Sequence, residues 1–423
     1  MVKAKVIEVL EHDTLAVGTG PNRIDQKSFD QLEQIVLQMN VTFGDSAAID
    51  FLSLSAKRGV GKVIRAKNYV GVLQINQHQQ IQILPKIHGV TKSESKTVLL
   101  KMLKTLGDFP SKSFNVASLS IEAMPLFEVF IRLYIREMQI IIRKGLQSSY
   151  YPVEDNLTVY KGKMNFSKQI RHNLTHRERF YVSYDEFGLN RAENRLLKTT
   201  LVYLNKVSAN ELNRKDIKQL LYHMDAVETS SSIEHDFSLV QLGRNMIHYE
   251  NALNWAKVFL NKQSFTSFSG DIAMNSLLYP MERLFENYVG KSLKHLLHDS
   301  NWNISLQDRS YHLFEKKFAL RPDIVLRHSV TQQTMIIDTK WKVLEYLPSR
   351  NYGISQADMY QMYAYGKKYG TNEIFLMYPL HDGFHVDEDI VFTSDDGIQV
   401  RIVFVQCEDI EQSLISFIQT FLS

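Results

Sequence analysis

Two short segments of this chain carry the residue types that metal-assisted phosphodiester chemistry needs. In RPDIVL, Asp323 opens an apolar run, and in MIIDTKWK a second apolar run ends in Asp338, Thr339 and Lys340. Side chains two apart on a strand leave from the same face, so Asp338 and Lys340 address one site. A hairpin across the intervening HSVTQQ brings Asp323 close to both. Paired carboxylates suit Mg²⁺, a hard cation that prefers oxygen and keeps waters for a substrate phosphate. Phosphodiester cleavage needs such an ion to activate water and offset transition-state charge, and a lysine adds a compact cation that steers the water or stabilises that charge. An Asp-x-Lys alone is usually a solvated ion pair at a strand end. The context favours chemistry: Pro-Asp opens one strand, Asp-Thr-Lys closes the next, and Gln361 and Tyr365 lie one turn apart on the following helix.

The elements that position these residues can be read from periodicity. After the Ser/Gly-rich stretch SFTSFSGD (264–271), a helix over MERLFENYVGKSLKHLL turns Phe285, Val289 and Leu293 inward. Strands follow over HLFEKKFAL, RPDIVLRH and TMIIDTKWKV, then a helix over SQADMYQMYAYGKKY, strands EIFLMYPL and IQVRIVFVQ, and a final helix EDIEQSLISFIQTFL. This alternation predicts a mixed sheet flanked by helices. Upstream, residues 1 to about 115 read as short strands interrupted by the helix SFDQLEQIVLQM and closed by KTVLLKMLKTLG, and residues 116–265 read as mainly helical. The expected class is α/β multidomain: a β-rich N-terminal region 1–115, a helical middle 116–265 and an α/β domain 266–423.

Bulk properties bound this reading. The chain has 423 residues, 44% of them hydrophobic, with a formal net charge of +3, so charge alone does not announce a nucleic-acid partner. The single cysteine, Cys407, makes no intrachain disulfide, the start MVKAKVIEVLEHD lacks a secretory apolar core, and no run approaches the ~18 apolar residues of a membrane span. A cytoplasmic, membrane-free protein is expected. His381 and His385 have no other ligand types at metal spacing and read as surface residues.

Together, Asp323, Asp338, Lys340, Gln361 and Tyr365 resemble the PD-(D/E)XK nuclease superfamily. The resemblance implies a catalytic set of Asp323, Asp338 and Lys340, with Mg²⁺ held by the two aspartates. It also implies a third carboxylate from the preceding helix, Glu286 or Glu282, and a supporting or DNA-contacting role for Gln361 and Tyr365. Three further segments narrow it: VGVLQINQHQQIQILPKI with the helix after it, VYKGKMNFSKQIRHN, and LNRAENRLLKTTLVYL. Their order resembles McrC, the nuclease subunit of McrBC modification-dependent restriction systems, most strongly over 160–205 and 315–370.

That family resemblance implies a type IV-like restriction endonuclease subunit that cleaves double-stranded, methylated foreign DNA. It implies a hexameric AAA+ GTPase partner (McrB-like) that binds the GTP, with residues 1–115 as the docking region. This chain has no Gly-x-x-x-x-Gly-Lys-Ser/Thr loop of its own. The basic residues Lys161, Lys163, Lys168, Arg171, His172, Arg177 and Arg179 are candidates for phosphate contact, against the ordinary reading of a solvated face. Asn190, Arg191, Asn194, Arg195 and Lys198 sit on an amphipathic helix and either cap the preceding loop or meet the partner. Two other readings stay open here: a helicase-associated repair or recombination nuclease, and a non-catalytic regulator of an AAA+ ring.

Overall fold

The computed structural model describes residues 5–43, 51–76, 79–107, 109–110, 124–260, 276–381, 383–385 and 388–422. The expected boundaries at 115 and at 264–271 lie outside these residues. Two compact units emerge: residues 127–260, and residues 5–126 together with 276–422. The N-terminal region set apart by its strand pattern therefore shares a unit with the C-terminal one. The strand Ser276–Pro280 adds antiparallel to Tyr69–Asn76, extending a sheet ordered Lys5–Leu10, Gln79–Leu84, Tyr69–Asn76, Ser276–Pro280. Gly71 permits this, since at φ +130° a Cβ would strike the Leu277 carbonyl.

A six-stranded mixed sheet dominates the same unit, in the order Trp302–Leu306, Ile324–His328, Thr334–Thr339, Glu373–Pro379, Gln399–Val405, Ile390–Thr393. Ile324–His328 and Thr334–Thr339 form the expected hairpin, pairing Ile324 with Ile337 and Val325 with Ile336. Thr334–Thr339 and Glu373–Pro379 are parallel, joined by the crossover helix Gln356–Tyr369. Val325, Ile336 and Leu376 are buried with Met362 and Tyr365 of that helix. Phe375 points the other way, to Phe417 and Phe421 of the helix Ile410–Phe421. Each fully buried Ile or Leu contributes roughly 1.5–3 kcal/mol over an exposed one, and these strands bury both faces, which holds the sheet between its helices. Asp323 and Asp338 stand at the ends of these apolar runs, so the packing that holds the sheet also sets their positions.

Two expectations change. HLFEKKFAL is not one strand: His312–Phe314 and Lys317–Ala319 fold back on each other, because Lys316 adopts φ +56° and turns the chain. The edge strand beside Ile324–His328 is instead Trp302–Leu306, whose short, polar-rich WNISLQ gives no clear strand signal. The middle region is mainly helical but also holds a three-stranded sheet, Ser149–Leu157, Phe180–Gly188 and Lys163–Met164. Its exposed side chains and Pro152 hid the alternation. No helix among the described residues is long and apolar enough to cross a membrane.

Candidate active site

Asp323 is held before its strand begins by the start of the other motif. Its Oδ2 accepts from the Thr339 backbone N–H at 2.8 Å and from the Thr339 hydroxyl at 2.7 Å. Its Oδ1 accepts from Gln307 Nε2 at 3.1 Å, and the same amide donates to Glu286 Oε1. Gln307 reaches both from a left-handed backbone (φ +53°) while its own N–H bonds the Asp323 carbonyl. Asp338, with a side chain only 2% exposed, forms an ion pair through its Oδ2 with the Lys340 ammonium. The Lys340 ammonium also lies 3.4 Å from Gln361 Oε1 and 3.9 Å from Asp358. Gln361 in turn donates to the Tyr365 hydroxyl at 2.6 Å. Five residues singled out by sequence, together with Glu286, thus meet at one end of the sheet.

Glu282 does not join them. One turn earlier on the helix Met281–Leu296, it accepts from Asn68 Nδ2 at 2.7 Å. Behind the site, the indole of Trp341 donates to both oxygens of the buried Glu11 at 3.0 Å and its ring packs on Phe285. Lys340 and Glu286 thereby have neighbours fixed from both sides. Burial pushes Glu11 up to about 8, despite the bonds from Trp341 and the Lys86 N–H.

The electrostatics describe a site short of positive charge. Burial, then the charge of Asp323, pushes Glu286 up to about 7. Burial, then Asp323, likewise pushes Asp338 up to about 7, and burial raises Asp323 itself. Burial works against the Lys340 charge, but Asp338, Asp358 and Asp323 together outweigh it and hold the ammonium above its ordinary value. Such carboxylates keep protons until a cation replaces them. A divalent cation binding here should release protons near pH 6.5, and its affinity should climb steeply with pH and level off above about 7. Calorimetry in two buffers of different ionisation enthalpy measures the release; equal heats would remove the carboxylates from the site. Because the folded state holds these protons more tightly than the unfolded chain, their contribution to stability is full below the ordinary carboxylate range. It is lost as pH rises through about 7 unless a cation takes their place.

The donor set fits Mg²⁺ in kind: carboxylate oxygens of Asp323, Asp338 and Glu286, whose raised proton affinities mark a site that favours added positive charge. Among the described residues no three His, Cys, Asp or Glu side chains stand gathered as a ready cage. The Gln307 amide bridges Glu286 and Asp323, and Lys340 is paired with Asp338. The sequence had not indicated Gln307, Asp358 or Glu11. Only Asp358 left a trace, in the Ser355-x-x-Asp358 helix start, where Ser355 caps the Asp358 N–H at 3.1 Å.

In the other unit, Lys163 lies on a strand, Lys168 and Arg171 on the helix Phe166–Asn173, and Arg177 and Arg179 in the turn beyond. Lys168 pairs with Glu154, Lys161 sits 3.9 Å above the Tyr184 ring, and His172 stacks on Tyr181. The Asn190–Lys198 motif is spent internally. Asn194 donates to the Leu189 and Gln147 carbonyls, Arg191 pairs with Glu193, Arg195 with Asp236, and Lys198 donates to the Val227 carbonyl. Asn190 Oδ1 accepts from the Glu228 N–H at 3.1 Å. Of the two roles open for this motif, capping the loop is the one its bonds perform. The ring of His381 meets that of His88 at 5.6 Å, and His385 is exposed.

Fold and site define a two-unit α/β protein with a buried acidic cluster at the end of a mixed sheet. Residues 64–379 match the family described as McrBC 5-methylcytosine restriction system component, and the chain belongs to that family. The type IV methyl-directed restriction enzyme EcoKMcrBC of Escherichia coli K12 is 23% identical over 215 residues. That match spans 47% of this chain and 59% of the relative, so it covers little more than half of that protein's length. Among solved structures, a refined half-complex of Thermococcus gammatolerans McrB AAA+ hexamers with bound McrC contains a chain of the same fold. Its TM-score is 0.72 at 19% identity, covering 98% of this chain and all of that one. A cryo-EM structure of the Thermococcus gammatolerans McrBC complex gives a TM-score of 0.50 at 21% identity, over 69% of this chain and 88% of that one.

Proposed function

We propose that this chain is the DNA-cutting subunit of a GTP-driven restriction complex, a Mg²⁺-dependent endonuclease of the PD-(D/E)XK type acting on methylated double-stranded DNA. The observation that carries this reading is the convergence of Asp323, Asp338, Lys340 and Glu286 at one sheet end, with Gln361 behind the lysine. Asp323, Asp338 and Glu286 would hold the ion, and Mg²⁺ bound there would supply Lewis-acid stabilisation and lower the pKa of a water. Thr339 and Gln307 keep Asp323 oriented, so the carboxylate does not have to be ordered when the ion arrives. Gln361 accepts from Lys340 and so aims the ammonium, which orients the water or offsets charge on the phosphate.

The family membership and the solved assemblies support an AAA+ ring partner, and we assign GTP binding and hydrolysis to that partner. We assign docking on that ring to residues 1–115, and phosphate contact to the basic residues between Lys161 and Arg179. A helicase-associated repair nuclease would leave the family match without a role, and a non-catalytic regulator of the ring becomes the better account if the complex with Mg²⁺ and substrate never cuts. The experiment is cleavage of paired methylated and unmethylated plasmids by the chain with its AAA+ partner, Mg²⁺ and GTP. Linearisation of the methylated plasmid alone is expected. Equal cutting of both would remove methylation from the reading, and cutting of neither would remove the nuclease.

A further inference from the structure

The hairpin formed by His312–Phe314 and Lys317–Ala319 has an unusual balance of rigidity and exposure. Its base is pinned. Asp308 accepts from the Tyr369 hydroxyl at 2.8 Å and from the Ser310 N–H at 2.9 Å, Tyr311 packs against Tyr369 with ring centres 4.5 Å apart, and the Leu320 N–H bonds the Tyr311 carbonyl. Its tip covers nothing: Phe314 is 64% exposed and Phe318 71% exposed, their rings edge-to-face at 5.9 Å. Phe318 adopts φ +56°, which an aromatic L-residue disfavours, so the fold holds an apolar ring out in water at some conformational cost. Beside the rings stand Lys316 and Lys317 with one acid, Glu315, and at the base Arg321, whose charge also acts on Glu286 and Asp323; the three cations are exposed and without an ion pair among the described residues.

Both ends of this hairpin run into the acidic site. One follows Gln307, which bridges Glu286 and Asp323, and the other is Arg321-Pro322-Asp323 itself. An element this close to the carboxylates, bearing lysines, an arginine and two exposed rings, matches a polyanion with an apolar interior. A two-stranded ribbon fits a DNA groove, and phenyl rings are a known wedge against base steps.

Resting on the nuclease reading above, we infer that this hairpin grips duplex DNA beside the cut. In this arrangement Phe314 and Phe318 lie against the bases of the groove, and Lys316, Lys317 and Arg321 lie on the flanking phosphates. A protein occupant would satisfy the rings but would leave the cations, next to a site for phosphodiesters, without a reason.

The test places a photoreactive benzoylphenylalanine at Phe314 in the full chain carrying Asp338→Asn, assembled with the AAA+ partner, GTP and end-labelled methylated duplex. A light-dependent crosslink to DNA is expected. A crosslink to the partner or to a second copy of the chain, or none at all, would overturn the inference. In parallel, Phe314→Ser with Phe318→Ser should lower cleavage about tenfold or more through weaker DNA binding, with GTP turnover kept. Lys316→Gln with Lys317→Gln should flatten the salt dependence of DNA affinity by about two in log–log slope. Ring variants that cut and bind as the wild type does would also overturn it. The two readings separate cleanly: a DNA crosslink in a chain whose Asp338→Asn variant still cuts keeps the hairpin and removes the cutting site, and the converse removes the hairpin alone.

Discussion

Asp338→Asn is expected to lower DNA cleavage by the assembled complex at least about 10³-fold while leaving the chain as stable as before. The two halves of this expectation come from the same geometry. Asp338 is almost wholly buried, Lys340 is its ion-pair partner, and burial together with Asp323 has pushed it up to about 7 in spite of that pair. In the absence of a cation the fold gains little from the charge, so an amide of the same shape costs little. With the ion, the carboxylate is a ligand that the amide cannot replace. Thermal melting at pH 8 should show the variant equal to the wild type or above it without divalent ions, and should show no further rise when Mn²⁺ is added. A variant that melts many degrees lower would make Asp338 a structural residue.

Lys340→Met should cost about 10²–10³-fold in the cleavage step with DNA affinity nearly unchanged. Methionine preserves the stem that lies beside Asp338 and Gln361 but removes the charge. Burial raises Asp323 and Asp338, and the Lys340 charge is one of the influences that bring both back down. Its loss therefore moves them further up, and the pH at which residual cleavage reaches half its maximum should move upward too. Single-turnover cleavage from pH 6 to 9, alongside equilibrium DNA binding, separates the two effects. Weaker binding with an unchanged cleavage step and an unmoved pH midpoint would make Lys340 a phosphate contact and nothing more.

How much of this could be read from the residues depended on how far apart the interacting parts lie. The pairing of RPDIVL with MIIDTKWK is local, because two apolar runs separated only by the short polar HSVTQQ fold back on each other as a hairpin. Gln361 and Tyr365 were legible for a related reason, because a turn of helix sets their spacing. Gln307 was not: it follows an edge strand with little apolar signal, and its reach to two carboxylates depends on a left-handed backbone that glutamine does not announce. Glu11 lies 330 positions from Trp341, and nothing in either sequence neighbourhood predicts their bond. The choice between Glu282 and Glu286 needed the position of Asn68, which draws Glu282 away. The segment 312–319 reads as one strand because no glycine, proline or asparagine marks the turn between its two apolar ends, and only the dihedral angle at Lys316 reveals it.

The most direct measurement follows DNA breaks and GTP hydrolysis in the same reaction, with one preparation of the AAA+ partner and methylated duplex. The wild-type chain is compared with Asp323→Asn combined with Asp338→Asn. Both complexes should hydrolyse GTP at similar rates, and only the wild type should break the DNA. Breaks that persist in the double variant, or a wild-type chain that drives full GTP turnover with Mg²⁺ present and leaves the DNA whole, would contradict the assignment of cutting to this acidic site.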